Sequence, residues 1–450
     1  MLPKGWVETE ASEVGTWGSG GTPKSTDATY YNGNIPWIRS GDLPDRQITR
    51  HEIEITESGL NACAAKWVAT NSVLIALYGA TIGKIGLTTY PVTTNQAVAF
   101  CTPYEGINPH YLARYFLSIR EKLISLGQGG AQPNISQIIL KQQIVPLPPL
   151  AEQHRIVTKL DSLTARIARA RAELERVQVL KKHLKYKATQ AIFSTNSRWP
   201  TVKLQDLVSD GPTNGWSPST DSTAQGTLSL KLTATTSGYI RLDNAATKRI
   251  HETVPYDSKF WLKSGDILIQ RANALEHLGV SAIFYGPEKK YIYPDLMMRV
   301  RVQDENLSRL IWYFLNSPNT RKHFRENATG TAGNMPKING KIVKQLLVPV
   351  PPSGVRVHLV KSLDTLFARA DRLETEAERA LTLLNRLEAS LLAKAFQGEL
   401  IPQDPKDEPA SVLLDRIRAE RAAAPKPKRG RRQSTQDMPL PRKRQTKKHG

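Results

Sequence analysis

The residues that most resemble a catalytic motif are Gly79-Ala-Thr-Ile-Gly-Lys84, a glycine-bounded loop that ends in a lysine. The phosphate-binding loop of nucleotide hydrolases has four residues between its glycines and a Ser or Thr after the lysine. This loop has three residues there and Ile85 after the lysine. The sequence also lacks the Asn/Asp-Pro-Pro-Tyr motif of methyltransferases and any His/Cys/carboxylate cluster with metal-ligand spacing. We therefore expect no catalytic site and no metal site in this chain.

The charge balance points instead to a polyanionic partner. The formal net charge is +21 at a sequence pI of about 9.8. Between Arg421 and Gly450 there are eleven Lys or Arg residues and one acid, Asp437, so the rest of the chain is basic as well. A basic body favours nucleic acid as the partner, and basicity that only aids solubility is the alternative.

Cysteine usage and hydropathy indicate a cytoplasmic protein. Cys63 and Cys101 are the only cysteines, and they lie far apart in the sequence, as expected in a reducing compartment. No apolar run approaches the roughly 20 residues that cross a bilayer, and the first residues lack a secretion signal. We expect no membrane contact.

An internal repeat organises the elements that must position any binding residues. Val145-Pro146-Leu147-Pro148-Pro149 recurs 203 residues later as Val348-Pro349-Val350-Pro351-Pro352. The same offset pairs Leu160-Asp161 with Leu363-Asp364, and Phe193 with Phe396. Segments further upstream match loosely, so a divergent segment followed by a similar segment occurs twice.

The similar segments predict two long helices. Each follows a double proline, and apolar residues then alternate at spacings of three and four, with Lys181 interrupting the first series. A period of 3.5 residues sustained this long predicts a coiled-coil seam, with helices about 65 Å long. The predicted seam is Ile156, Leu160, Leu163, Ile167 and Leu174 in the first helix, and Leu359, Leu363, Leu366, Leu373, Leu384 and Leu387 in the second.

The two helices differ in charge. The first is rich in Lys and Arg, whereas the second carries several glutamates among its arginines. Arg171 and Lys185 against Glu374 and Glu388 suit an intramolecular antiparallel pair. The alternative is that these charges form solvated faces.

The divergent segments hold short apolar runs broken by Gly, Pro and Asn, which predict strands, with helices near Pro109–Leu126 and Leu307–Asn327. The predicted fold is two globular α+β domains, separated and followed by long helices that form an antiparallel coiled coil, with a pseudo-two-fold repeat. The predicted order is domain 1–149, helix 150–197, domain 198–352, helix 353–398, a turn and short helix 399–424, and a basic disordered tail 425–450.

Several motifs resemble one family. Pro146-Leu-Pro-Pro-Leu-Ala-Glu-Gln-His-Arg-Ile-Val157 is similar to the start of the central helix in specificity subunits of Type I restriction–modification enzymes. Trp37–Leu43, Gly79–Lys84, Phe396-Gln-Gly-Glu-Leu400 and Asp407–Leu414 resemble that family too. The resemblance covers nearly everything up to about Ala424. The second copy departs from it, with Ser353-Gly354-Val355-Arg356 in place of Leu150–Gln153.

The resemblance implies a non-catalytic DNA-binding chain. Each globular domain is then a target recognition domain for half of a split site. The helices space the half-sites and dock two modification subunits, which methylate adenine with S-adenosylmethionine. Separate motor–nuclease (restriction) subunits use ATP and Mg²⁺, and this chain itself holds no cofactor. A fused nuclease or methyltransferase is disfavoured by the missing motifs. A coiled-coil scaffold with non-specific nucleic-acid binding is the second alternative.

The candidates for contact with double-stranded DNA are side chains suited to base edges or phosphates. Arg matches guanine, Asn and Gln match adenine, and Lys can hold phosphate. The candidates are Arg39, Tyr78, Lys84, Asn95 and Gln96 in the first domain, and Lys231, Arg271, Asn273 and Lys337 in the second.

The neighbouring residues leave alternatives open. Arg39–Asp42 is equally consistent with a tight, internally bonded loop, and Ser136 and Asn339 are expected to cap helices. The Gly-rich loops Gly129–Asn134 and Gly330–Pro336 occupy equivalent places, either as DNA-backbone contacts or as connectors.

Overall fold

A computed structural model describes residues 2–127, 133–193, 199–219, 226–330 and 335–423. The chain forms two compact units, Met1–Ala172 with Leu381–Gly450, and Glu173–Ala380. Each unit contains one globular domain and parts of two long helices. The basic tail at 425–450 and most of both Gly-rich loops, 129–132 and 331–334, lie outside the described residues.

The first globular domain combines short strands with short helices. Its strands are β1 (Val7–Glu10), β2 (Gly15–Ser19), β3 (Tyr31–Ile38), β4 (Arg46–Ile48), β5 (Glu54–Ile55), β6 (Val73–Ala76), β7 (Ile85–Thr88), β8 (Thr93–Thr94), β9 (Val98–Pro103) and β10 (Ile144–Leu147). Its helices are α1 (Glu57–Asn61), α2 (Pro109–Ser118), α3 (Arg120–Ser125) and α4 (Gln137–Lys141).

Strand β6 lies at the centre of this domain. The main sheet has the order β2-β9-β6-β7-β4, and smaller sheets follow the orders β5-β3-β8 and β1-β10. All four residues of β6 are fully buried, as the uninterrupted apolar run Val73–Ala76 requires of a strand covered on both faces. Helix α2 buries Tyr111, Leu112 and Phe116 in the core on one face of the sheet.

Helix α5 (Leu150–Phe193) begins directly after the double proline. The residues that resemble the family motif hold its first turn in place. Glu152 is fully buried and accepts a hydrogen bond from Trp6 Nε1 at 3.0 Å, while Gln153 Oε1 accepts from the Asn108 N–H at 2.8 Å. Arg155 pairs with Asp407 at 2.5 Å. The motif therefore connects the helix to the globular domain and to the C-terminal segment of the same unit.

The second globular domain repeats the first in outline. Its strands are β11 (Thr201–Lys203), β12 (Asp210–Asn214), β13 (Leu228–Leu230), β14 (Thr247–Arg249), β15 (Ile267–Gln270), β16 (Ser281–Ile283), β17 (Tyr291–Ile292), β18 (Met297–Arg301) and β19 (Leu347–Pro349). Its helices are α6 (Glu305–Leu315), α7 (Pro318–Glu326) and α8 (Gly340–Lys344).

The sheet orders establish the duplication. In the second domain the order β12-β18-β15-β16 corresponds to β2-β9-β6-β7, β14-β13-β17 corresponds to β5-β3-β8, and β11-β19 corresponds to β1-β10. Even the parallel pairing of β3 with β8 is repeated by β13 with β17. The predicted α+β class and internal repeat are therefore confirmed. The main sheet of the first domain also includes β4, which lies at its edge.

The second long helix, α9 (Ser353–Gln397), follows, and then α10 (Ala410–Ala423). In the first unit, Arg171 of α5 pairs with Glu388 of α9 at 3.0 Å, while the earlier residues of α5, Ile156 and Leu160, share a core with the later residue Phe396. Because the sequence order reverses between the helices, they run antiparallel.

The second unit shows the same reversal. Lys181 of α5 contacts Asp371 at 3.0 Å and also Glu374, and Lys185 contacts Asp371 at 2.6 Å. Further along α5, Phe193 packs in the core that contains Leu363. The coiled coil predicted from the helical period is therefore present, and its orientation is the antiparallel one suggested by the opposite charges of the two helices. Lys181, which breaks the apolar series, is one partner in an ion-pair cluster between the helices.

Two leucines of the predicted seam are exposed. Leu373 is 55% exposed and Leu387 is 47% exposed, whereas Ile156, Leu160, Ile167 and Leu363 are buried and the other predicted seam residues are half-buried. Around Leu387 the face of α9 that meets α5 carries Glu388, and around Leu373 it carries Asp371 and Glu374. The contact between the helices is therefore more polar at these places than the spacing predicted.

Candidate nucleic-acid interface

The five candidates of the first domain gather around the C-terminal end of β6. The N–H of Asn95 donates to the carbonyl of Ile38, next to Arg39, at 3.0 Å. The N–H of Leu77, next to Tyr78, donates to the carbonyl of Ala97 at 2.9 Å. The Ala76 N–H donates to the carbonyl of Lys84 at 3.0 Å. Three separate loops therefore bring the candidates to one edge of the domain.

Arg39 is held by its own loop. Its Nε and Nη2 donate to the two carboxylate oxygens of Asp42, at 3.1 and 3.0 Å, and its backbone N–H donates to Asp42 as well, at 2.9 Å. This hydrogen-bonded contact raises the pKa of Arg39 above its ordinary value. The internally bonded loop left open as an alternative is therefore present. Arg39 would reach a base only with the donor edge that Asp42 does not use, or after leaving Asp42.

The other side chains of this edge are more accessible. Tyr78 is 43% exposed, Gln96 is exposed, and Lys84 is half-buried. The amide oxygen of Gln96 accepts a hydrogen bond from the hydroxyl of Thr22, a residue that sequence analysis did not single out. Asn95 Oδ1 is buried and has no protein hydrogen-bond partner. Such a buried acceptor carries a desolvation cost unless a water or ligand group donates to it.

In the second domain the candidates surround the C-terminal end of β15. Arg271 follows this strand directly, and its Nη1 donates to the carbonyl of Asp295 at 3.3 Å. Asn273 donates to the side chain of Gln270 at 2.6 Å. The Gln270 amide in turn donates to the carbonyl of Leu232, the residue after Lys231, at 3.0 Å. Gln270 therefore links two loops that carry predicted residues.

Lys337 completes this edge. Its side chain is exposed, and its backbone forms an isolated β-bridge with that of Ala272. The first domain has the equivalent bridge, between Tyr78 and Asn134. Asn134 and Lys337 each come two or three residues after the part of a Gly-rich loop that is outside the described residues, so the chain after each loop lies at the same edge of its domain.

Other polar residues of the predicted interface have structural roles. Ser136 caps α4 by accepting from the Ile139 N–H, and Asn339 caps α8 by accepting from the N–H groups of Lys341 and Ile342, as expected. Asp266 is almost fully buried and pairs with Arg301 at 2.6 Å. Within the described ranges, no three His, Cys, Asp or Glu residues are placed to hold a metal ion.

The acceptor at the second edge, Asp295, is not among the residues predicted from the sequence. Asp295 is exposed, and its Oδ1 accepts from the Ser217 hydroxyl at 2.5 Å. A sequence signal for it exists, because Gly20-Gly21-Thr22-Pro23 after β2 resembles Gly215-Trp216-Ser217-Pro218 after β12. The similarity is too short to stand out without the strands that precede it.

A second accessible surface lies along the helices of the second unit. Val179, Leu180 and Leu184 of α5 are exposed, as is Leu373 of α9. Leu184 and Leu373 line an open groove of about 700 Å³ together with His358, Lys361, Arg369 and neighbouring residues of α9. Apolar side chains in such numbers on a helix surface are typical of a protein–protein contact. Among the described helices, none has the length and hydrophobicity of a membrane span.

Comparison with known protein families gives a match in both halves of the chain. A family model described as the Type I restriction modification DNA specificity domain matches residues 3–178 and again residues 196–383. The specificity subunit of Type I restriction enzyme EcoKI from Escherichia coli strain K12 is 28% identical over 463 residues, covering 96% of this chain and 99% of that protein. The StySPI specificity subunit from Salmonella potsdam is 28% identical over 453 residues, covering 94% and 97%.

Solved structures share the architecture. One, described as the structural basis of complex assembly and conformational transition of the type I R-M system, aligns with a TM-score of 0.71 over 89% of this chain and 100% of that chain. The crystal structure of the HsdS subunit from Thermoanaerobacter tengcongensis aligns with a TM-score of 0.56 over 89% and 98%. Both are 19% identical in sequence, so these similarities establish the fold.

Proposed function

Because this chain belongs to the Type I restriction–modification DNA specificity family, we propose that it is the DNA-recognition subunit of such a complex and catalyses no reaction itself. Each globular domain recognises one half of a bipartite site. The long helices fix the gap between the halves. The chain matches the specificity subunits of EcoKI and StySPI over nearly their whole length, and this similarity supports the assignment.

One observation carries the proposal. The same sheet order in the two domains presents an equivalent edge, at the end of β6 and of β15, and the two edges carry different side chains. A duplicated scaffold with unlike polar groups suits two different half-sites. A protein that bound DNA by charge alone would need no such difference, because phosphate contacts carry no sequence information.

The partners follow from the same assignment. Two modification subunits bind the chain and methylate adenine with S-adenosylmethionine, and motor–nuclease subunits that use ATP and Mg²⁺ join them in the cytoplasm. The exposed residues Val179, Leu180, Leu184 and Leu373 supply an apolar docking surface for a modification subunit. This chain holds no cofactor of its own.

The direct test is sequence-resolved methylation. The chain and its modification subunits are expressed in a host without adenine methylation, and methylated positions are mapped by single-molecule sequencing. We expect adenine methylation in both halves of one split motif, and none when the gene for this chain is omitted. Methylation without a split motif would contradict the proposal and favour a scaffold with non-specific binding.

The docking surface is tested separately by co-purification. Leu180→Asp with Leu184→Asp places two charges on the apolar surface and should abolish recovery of the modification subunits on tagged chain. Lys182→Asp, at an exposed position on the opposite face of the same helix, is the matched control and should leave recovery unchanged. If the double leucine variant recovered as much modification subunit as the control variant, the docking surface would lie elsewhere.

A further inference from the structure

The hydrogen bonds around β6 and β15 align the two domains residue by residue. In the first domain the Gly21 N–H donates to the Thr94 carbonyl at 3.0 Å, and in the second the Trp216 N–H donates to the Tyr293 carbonyl at 2.9 Å. Gly21 therefore corresponds to Trp216, and Thr94 corresponds to Tyr293.

Bonds on the opposite side of the same loops give the same correspondence. The Leu77 N–H donates to the Ala97 carbonyl at 2.9 Å, as the Arg271 N–H does to the Leu296 carbonyl at 2.9 Å. The intervening residues then match one to one, because Thr94 to Ala97 and Tyr293 to Leu296 have equal length. Gln96 and Asp295 occupy the same position of the fold.

Each of these two residues is held by an equivalent hydroxyl. Thr22 directly follows Gly21, and Ser217 directly follows Trp216. The Thr22 hydroxyl donates to the side chain of Gln96, and the Ser217 hydroxyl donates to the side chain of Asp295. The Ser217 oxygen also accepts the backbone N–H of Asp295 at 3.1 Å. The contact is conserved between two otherwise divergent domains, and all four residues are exposed. A fixed, accessible polar group at the predicted DNA edge is suited to base recognition.

The two side chains differ in hydrogen-bonding capacity. The Gln96 amide both donates and accepts, which matches N7 and the amino group of adenine in the major groove. The Asp295 carboxylate only accepts, which matches the amino group of cytosine. Arg271 lies beside Asp295 and offers donors for guanine, whereas the buried Leu77 stands at the corresponding position of the first domain. The second edge thus has both groups that a G·C pair requires.

We propose that Gln96 and Asp295 are the equivalent specificity-determining residues of the two domains. Gln96 selects an A·T pair in one half-site, and Asp295 together with Arg271 selects a G·C pair at the corresponding place in the other. This inference rests on the proposed function, since it assigns bases within a split site that the function supplies.

The experiment uses the complete complex of this chain with its modification subunits. Its methylated motif is mapped first, and binding is then measured on duplexes in which each base pair of the motif is changed in turn. The variants are Asp295→Gln, which gives the second domain the residue of the first, and Asp295→Asn, which keeps the size of the side chain and its contact with Ser217. Glu288→Gln, at an exposed acid of the same domain, controls for the loss of one negative charge.

We expect both Asp295 variants to lose preference for one G·C pair in one half-site by about tenfold or more, with adenine gaining at that pair. Preferences in the other half-site and in Glu288→Gln should be unchanged. The unaltered half-site shows that the protein is folded. Unchanged preferences in Asp295→Asn, or a uniform loss across both half-sites, would overturn the inference. If the unsubstituted complex showed no split motif, the proposed function itself would fail.

Discussion

Phe396 near the end of α9 anchors that helix to the first globular domain, and its removal gives a measurable prediction. The ring is 9% exposed, and its centroid lies 5.2 Å from that of Tyr111 and 5.6 Å from that of Tyr115. Both tyrosine hydroxyls donate to backbone carbonyls, of Pro146 at 2.5 Å and Ile144 at 2.6 Å. Because these bonds fix the tyrosines, the surroundings cannot collapse to fill the space that Phe396→Ala leaves.

The magnitude follows from buried area. A phenylalanine that buries about 200 Å² contributes about 5 kcal/mol at about 25 cal/mol per Å². Measured Phe→Ala substitutions in cores cost about 3–5 kcal/mol, and limited relaxation places this one in the upper part of that range. We therefore expect the free energy of unfolding of the first unit to fall by about 4–5 kcal/mol.

The assay is urea denaturation followed by circular dichroism, with hydrogen exchange of the α2 amides to locate the loss. Leu383→Ala, a 61% exposed leucine on the same helix and in the same unit, is the matched control and should cost well under about 1 kcal/mol. If Phe396→Ala cost no more than Leu383→Ala, the aromatic cluster would not be what holds the helix end.

Three further predictions concern buried or paired charges. Lys181→Glu places a third acid against Asp371 and Glu374 and should lower the stability of the second unit by about 3 kcal/mol, measured as a change in the midpoint of urea unfolding. The hydrogen bond from Lys181 lowers the pKa of Glu374. The stability that the ionised Glu374 contributes is therefore present above pH 4.5 and is lost as the pH falls through the lowered pKa. In Lys181→Met, acid titration should lack this loss of stability. Burial raises the pKa of Glu152, so ionisation of this carboxyl lowers the stability of the folded protein at pH values above the raised pKa. Glu152→Gln should therefore match or exceed wild-type stability at pH 8, whereas Glu152→Ala leaves Trp6 Nε1 without its acceptor and should cost about 1–3 kcal/mol in denaturant unfolding.

The duplicated architecture was predictable because it is written in local patterns. The recurrence of the Val-Pro-x-Pro-Pro segment placed the helix starts, and α5 and α9 begin at Leu150 and Ser353, directly after it. Helical periodicity depends only on neighbouring turns, so it survives without knowledge of distant contacts. The same locality explains why the spacing did not predict that Leu373 and Leu387 are exposed. Spacing alone does not show which polar residues of the two helices pair beside them.

The candidate interface was predictable in composition but not in pairing. Residue type singled out Arg39 and Gln96, yet only the structure shows that Asp42 occupies the Arg39 guanidinium and that Thr22 holds Gln96. In the second domain, Asp295 is not among the residues predicted from the sequence. Its importance depends on Ser217, 78 residues away in the sequence.

Residue order, period and composition along the chain were enough to predict the repeat, the two long helices, the basic charge and the family, whereas the charges of the helices suggested their antiparallel orientation without excluding solvated faces. Tertiary structure alone decided which loops meet at the ends of β6 and β15, and hence that Gln96 and Asp295 stand in the same place. That correspondence is made by backbone hydrogen bonds between segments remote in sequence. Such bonds form between N–H and carbonyl groups common to nearly every residue, so the side chains printed in the sequence carry almost no record of them.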